Sequence, residues 1–221
     1  GIVTESFEGF ARELLAQPEA YEPAPPGIVV ESSHCPHCGH KLSWWENVPL
    51  LSFVALRGKC RACGARISLQ YPLVELLTAV LFAACVWRFG AGLAGALALF
   101  FSASLVALAG IDLRTTLLPD ALTQPLLWVG LLASLVTVFV DPVQSLLGAT
   151  FGYLSLWSVY WVFKLVTGKE GMGQGDFKLL AALGAWCGAE AIIGILFVSS
   201  LVGALVGGAW LLLRGKDRST Q

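Results

Sequence analysis

AGLAGALALFFSASLVALAGI, residues Ala91–Ile111, runs for 21 residues without a charge and is followed at once by Asp112. About 20 predominantly apolar residues suffice for a helix to cross the hydrocarbon of a bilayer. The run therefore reads as a transmembrane helix with an ionisable residue at its end. Working outward, four comparable runs are found: Leu73 to Phe89, Ala121 to Val140, Val143 to Val166 and Ala191 to Leu213. A sixth, Leu179 to Ala189, is short. At ~1.5 Å per residue it covers only ~16 Å, about half a bilayer core. It reads as a short helix buried among the others or as an interfacial one. The whole chain fits this picture, with 56% hydrophobic and 13% charged residues, against about 25% charged in an ordinary soluble domain. The expected fold class is an all-α polytopic membrane protein of about six transmembrane helices.

The charges are segregated, and that predicts orientation. If the polar N-terminal region is cytosolic and all six runs cross, then Arg114, Lys164, Lys169, Lys178 and the basic tail share its side. Of the 14 Lys and Arg residues, only Arg88 falls on the far side, as the positive-inside rule requires. The expected organisation is a cytosolic region over 1–72, a membrane domain over 73–213 and a cytosolic tail over 214–221. Net charge is −1, which gives no footprint for a nucleic-acid partner. The expected partner surface is the lipid bilayer. The chain opens on Gly1 and has no apolar run before residue 73, so no signal peptide is expected and the chain reads as a fragment or a processed form.

Within the polar region, Cys35-Pro-His-Cys38 and Cys60-Arg-Ala-Cys63 form two CxxC pairs separated by 21 residues. Two such pairs can enclose a tetrahedral zinc with Zn–S ~2.3 Å, and the spacing is close to that of zinc ribbons. Two disulfides are the alternative, which a reducing cytosol disfavours. A zinc-ribbon-like module over about 31–68 is expected, with zinc structural and Cys35, Cys38, Cys60 and Cys63 as ligands. His34, His37 and His40 read as surface residues, because four cysteines already fill the shell. Cys85 and Cys187 lie in apolar runs and read as small buried hydrophobes.

Three aspartates fall near the cytosolic face: Asp112, Asp120 and Asp176. Ionisable residues at membrane depth are functional candidates by default. Two facing carboxylates repel when both are ionised, so such a pair shares a proton. The ionised partner then draws a proton from water while the protonated one hydrogen-bonds a scissile carbonyl. Asp176 lies in Gly171-Met-Gly-Gln-Gly-Asp-Phe-Lys178. Gly171, Gly173 and Gly175 would let an extended substrate backbone approach it. Each aspartate also has a plainer reading. Asp120 follows Pro119 and opens a helix, which is the N-cap position. Asp176 also opens a helix, and Asp112 can simply end one. The Gly-x-Gly-x-Gly-Asp context favours Asp112 and Asp176 as a catalytic pair and Asp120 as a cap.

Taken together, these stretches resemble the type IV prepilin peptidase family. The resemblance rests on Cys35-Pro-His-Cys-Gly-His40, Trp45-Glu-Asn-Val-Pro-Leu50, Gly58-Lys-Cys60, Tyr71-Pro-Leu-Val-Glu-Leu76, Ile111-Asp112 with Leu118-Pro-Asp120, and Gly171 to Leu180. It implies a multi-pass aspartic protease of the bacterial inner membrane with Asp112 and Asp176 as catalytic residues. The implied substrates are type IV prepilins and type II secretion pseudopilins, whose basic leaders are cleaved on the cytosolic side. It also implies a second activity, N-methylation of the new N-terminus with S-adenosylmethionine as donor. Members usually begin with one further hydrophobic helix and end with another, so this chain is expected to lack the first and last helices of the family. The competing readings are a different membrane protease of the same aspartate type and a zinc-bearing membrane scaffold or transporter without catalysis.

Overall fold

The computed structural model describes residues 33–169 and 172–215. The chain divides into two units, Gly1–Leu69 and Gln70–Gln221.

The first unit is built on a duplicated turn. In the first copy, the Gly39 amide donates to the Cys35 carbonyl and the Cys35 amide to that of His40, each at 2.9 Å. The second copy repeats this 25 residues on, with Gly64 to Cys60 at 2.9 Å and Cys60 to Ala65 at 2.8 Å. An isolated β-bridge flanks each turn, His34 with Lys41 and Lys59 with Arg66. Gly39 and Gly64 have φ of 69° and 70°, left-handed values that glycine adopts without a Cβ clash. Between the copies lie a 3₁₀ turn, Trp44–Asn47, and the short helix α1, Leu51–Ala55. Buried Glu46 accepts the Ser43 amide at 2.7 Å and lies 3.4 Å from His40 Nε2. The Ser43 N–H, with help from His40, holds the Glu46 carboxyl below the usual carboxylate range despite burial.

The second unit consists of six helices: α2 (Gln70–Phe89), α3 (Leu93–Thr115), α4 (Asp120–Leu135), α5 (Pro142–Thr167), α6 (Gln174–Cys187) and α7 (Ala189–Gly215). Among the described residues, four are long and apolar enough to cross a membrane: α2, α3, α5 and α7. The other two are short. At ~1.5 Å per residue, α4 spans ~24 Å and α6 ~21 Å. The run expected over 121–140 thus ends as a helix at Leu135, and Thr137 takes a φ of 48°.

Helix ends are encoded locally. Asp141 caps α5 by accepting the amides of Val143 and Gln144 at 3.0 and 3.1 Å, with Pro142 in the first turn. Gly168 closes α5 in a left-handed conformation, and Thr116 does the same for α3. The outward faces carry Leu, Val, Phe and Trp, and α2 buries no residue at all. Lipid is the solvent such faces require, and the helix is the element that satisfies its own backbone there.

The core lies around α6. Phe177, Leu180, Ala181, Ala182, Ala185 and Trp186 are all buried. On the α5 side, small residues set the spacing. A Cβ on Gly148 would run into the Gly184 carbonyl, and one on Gly152 would stand 2.6 Å from the Leu180 carbonyl oxygen. The hydroxyl of fully buried Ser145 donates to the Ala185 carbonyl at 2.6 Å. On the α4 side, the indole of Trp186 fills the space left by Gly130 and donates to the Leu126 carbonyl at 2.8 Å. Phe101 and Phe139 close over the same indole, at 4.9 and 5.7 Å between ring centroids. The short run expected at 179–189 is therefore the buried helix of the bundle rather than an interfacial one.

Cys85 is half-buried, its sulfur 3.2 Å from the Ser102 hydroxyl. Cys187, expected to be buried, is exposed at the end of α6.

Enlarging Gly152 to valine should lower the thermal midpoint in detergent, consistent with an overpacking cost of about 1–3 kcal/mol. The control is Gly203→Ala, whose added Cβ meets nothing within 4 Å. It should leave the midpoint unchanged or slightly raised, since alanine favours a helix by about 0.5–1 kcal/mol.

Candidate active site and cysteine cluster

Leu108 on α3 is packed into the α6 core together with Ala182, Ala185 and Trp186. Asp112 lies four residues further on, one turn along the same face, where the core ends and the side chain is exposed. Asp176 is the third residue of α6, whose N-cap is Gly173; its amide donates to the Gly173 carbonyl at 3.3 Å. Its carboxylate is also exposed. It caps nothing, which removes the plainer reading of that residue. The two aspartates are close enough for the charge of Asp112 to act on Asp176. Among the described residues no hydrogen bond is made by either carboxylate, so both are free to bind water or a peptide group.

Of the three glycines expected beside Asp176, Gly171 lies outside the described residues. Gly173 is open, its nearest neighbour being Asp176 Oδ2 at 4.0 Å from where a Cβ would stand. Gly175 is different. A Cβ there would come within 2.7 Å of Leu118 Cβ, so this glycine lets the 116–119 connection between α3 and α4 lie against the start of α6.

Asp120 is not the N-cap of α4; Pro119 is, and no side chain caps that end. Its carboxylate instead takes the Lys178 ammonium at 2.6 and 2.7 Å. An ammonium is a stronger partner for a carboxylate than a neutral amide, and Lys178 lies on α6 about half a turn beyond Asp176. Sequence reasoning counted Lys178 only as a topological charge. The available signal was its spacing, two residues past Asp176 and on the same side of the membrane as Asp120. Nearby on α5, Lys164 Nζ lies 3.2 Å from the Tyr160 hydroxyl and over the Tyr160 and Trp161 rings.

In the other unit, the four expected cysteines come together. Cys35 and Cys63 have their sulfurs 3.9 Å apart, Cys38 and Cys60 4.0 Å, and all four lie within 4.8 Å. None forms a disulfide. A tetrahedral ion with Zn–S ~2.3 Å sets its sulfurs about 3.8 Å apart, so the cluster can hold a metal. Backbone amides favour the thiolate. The N–H groups of His37 and Cys38 bring the Cys35 thiol down to about 7, and those of Cys63 and Ala62 lower Cys60. At Cys38 the His40 N–H acts the same way, but burial and the three neighbouring thiols outweigh it and push the group up to about 12. Four sulfurs this close cannot all ionise without a cation among them. His34 and His37 are exposed, while His40 is half-buried against Glu46.

Comparison with known proteins places the chain. Residues 3–89 match the bacterial peptidase A24 N-terminal domain, and residues 99–208 match the type IV leader peptidase family. A Xanthomonas campestris protein named prepilin leader peptidase/N-methyltransferase is 60% identical, over 95% of this chain and 73% of its own length. Proteins of the same name from Pseudomonas aeruginosa and Aeromonas hydrophila are 47% and 53% identical. They cover 99% and 91% of this chain and 76% and 69% of their own lengths. No solved structure matches it significantly. Two exposed aspartates at one end of an apolar bundle, a four-cysteine cluster and these matches lead to one conclusion: the chain belongs to the type IV leader peptidase family.

Proposed function

We propose that the protein is a membrane aspartic endopeptidase that removes the leader peptides of type IV prepilins and pseudopilins and N-methylates the new N-terminus. The observation that carries this is the 60% identity, over 95% of the chain, to a protein of that printed name, with Asp112 and Asp176 both exposed at one end of the helices. Hydrolysis needs only the two carboxyl groups. The ionised one takes a proton from water, and the hydroxide equivalent attacks the scissile carbonyl. The protonated one donates to the carbonyl oxygen, and the amine leaves with a proton returned by the pair. Gly173, open beside Asp176, provides room for an extended substrate strand. The apolar stem of the substrate enters among the helices from the bilayer, and its basic leader stays in water.

In this reading the membrane is the bacterial inner membrane. Residues 1–72 and the tail 214–221 are cytosolic, with the aspartates at the cytosolic edge of the membrane domain, 73–213. The charge distribution supports this, since the carboxylate end of the bundle also carries Arg114, Lys164 and Lys178. Zinc is the metal proposed for Cys35, Cys38, Cys60 and Cys63, where it would fasten the two turns of the first unit together. S-adenosylmethionine supplies the methyl group in the second activity; among the described residues no side chains are assigned to it.

Asp112→Asn and Asp176→Asn should each reduce leader cleavage of a prepilin in membranes by about a thousandfold or more. Retained cleavage by either well-folded variant would exclude the two-aspartate mechanism. Elemental analysis of the purified protein should find about one zinc per chain, and Cys35→Ser should lose most of it. Metal-free protein with four titratable thiols would remove the zinc assignment.

A further inference from the structure

We propose that Lys178 and Asp120 are positioning residues whose ion pair clamps the start of α4 to the first turns of α6 and thereby sets the separation of Asp112 and Asp176. The inference rests on the two-aspartate reading above.

The argument is one of tethers. The last core residue of α3 before Asp112 is Leu108, so the end of that helix is not held by the α6 core. Only residues 116–119 separate the end of α3 from the start of α4. Wherever Asp120 is fixed, Asp112 is fixed within a short reach of chain. On the other side of the joint, Lys178 follows Asp176 by two residues on one rigid helix. The bridge between Asp120 and Lys178, at 2.6 and 2.7 Å, therefore ties the connection that leaves Asp112 to the turn of α6 that carries Asp176. Two further contacts brace the joint. Leu118 occupies the space that a Gly175 side chain would need, and Arg114 Nη2 donates to Gln70 Oε1 at 3.2 Å, holding the end of α3 against the start of α2.

Exposure separates positioning from stabilisation. The Lys178 side chain is 28% exposed and that of Asp120 61%. A pair this wet adds little to global stability. Reacting groups displaced by an ångström, in contrast, can lose about a hundredfold in rate. A stabilising pair would show in the melting curve, whereas a positioning pair shows in turnover.

The test uses the full chain in membranes with a prepilin substrate. Asp120→Asn and Lys178→Met should each lower kcat about tenfold to a hundredfold, with KM and the thermal midpoint nearly unchanged. The reversed pair, Asp120→Lys with Lys178→Asp, should recover most of that loss. Wild-type kcat in both single variants, or no recovery on reversal, would overturn the proposal. A second readout needs no activity. In an Asp112→Cys, Asp176→Cys protein, oxidative cross-linking between positions 112 and 176, mapped by mass spectrometry, should fall several-fold when Asp120→Asn is added. An unchanged cross-link would overturn the clamp. A reduced cross-link in a protein whose unmutated form does not cleave would uphold the clamp and defeat the peptidase reading instead.

Discussion

The close contact between the backbones of α5 and α6 at Gly148 and Gly184 is the constraint on which the membrane unit depends. Helix α6 has only 14 residues, too few to cross hydrocarbon alone. It holds its place because small residues let α5 come within backbone distance, while Gly130 makes room on the α4 side for Trp186. In lipid there is no hydrophobic drive to bring helices together, so packing and interhelical hydrogen bonds must do it. Ser145 to Ala185 and Trp186 to Leu126 are two such bonds, and both end on backbone carbonyls. With α6 seated in this way, its first turn lies at the same end of the bundle as the end of α3, so Asp176 and Asp112 share that end.

A short buried helix suits this chemistry. Hydrolysis within a membrane protein needs both water and an apolar substrate. A helix that crossed the full bilayer would carry its N-terminus out into bulk water, away from the lipid edge where the proposed function places the stem of the substrate. Starting the helix at the end of the bundle leaves both carboxylates exposed and uncommitted, with the core directly beneath them at Phe177 and Leu180.

The cysteine unit follows a different logic. It has little apolar core: among its described residues only Cys35 and Glu46 are buried. A small domain of this kind needs a covalent or metal staple. Its two turns are near copies of each other, with matching hydrogen bonds and matching left-handed glycines. Together they deliver four sulfurs to one point.

Much of this protein is decided by local rules, and those parts were legible in the residues. The apolar runs and the paired CxxC turns each act within a few residues. The solvent and the backbone impose the same answer wherever such a stretch is placed. Other features exist only between elements distant in the chain. Asp120 reads as a cap until Lys178, 58 residues away, is brought beside it. Gly175 reads as room for substrate until Leu118 is found in that space, and nothing near 179–189 tells a buried helix from an interfacial one. Composition and periodicity record which surfaces are apolar. They do not record which backbone will approach which; that approach is set by glycines on separate helices, and what each glycine makes room for exists only once the helices are packed.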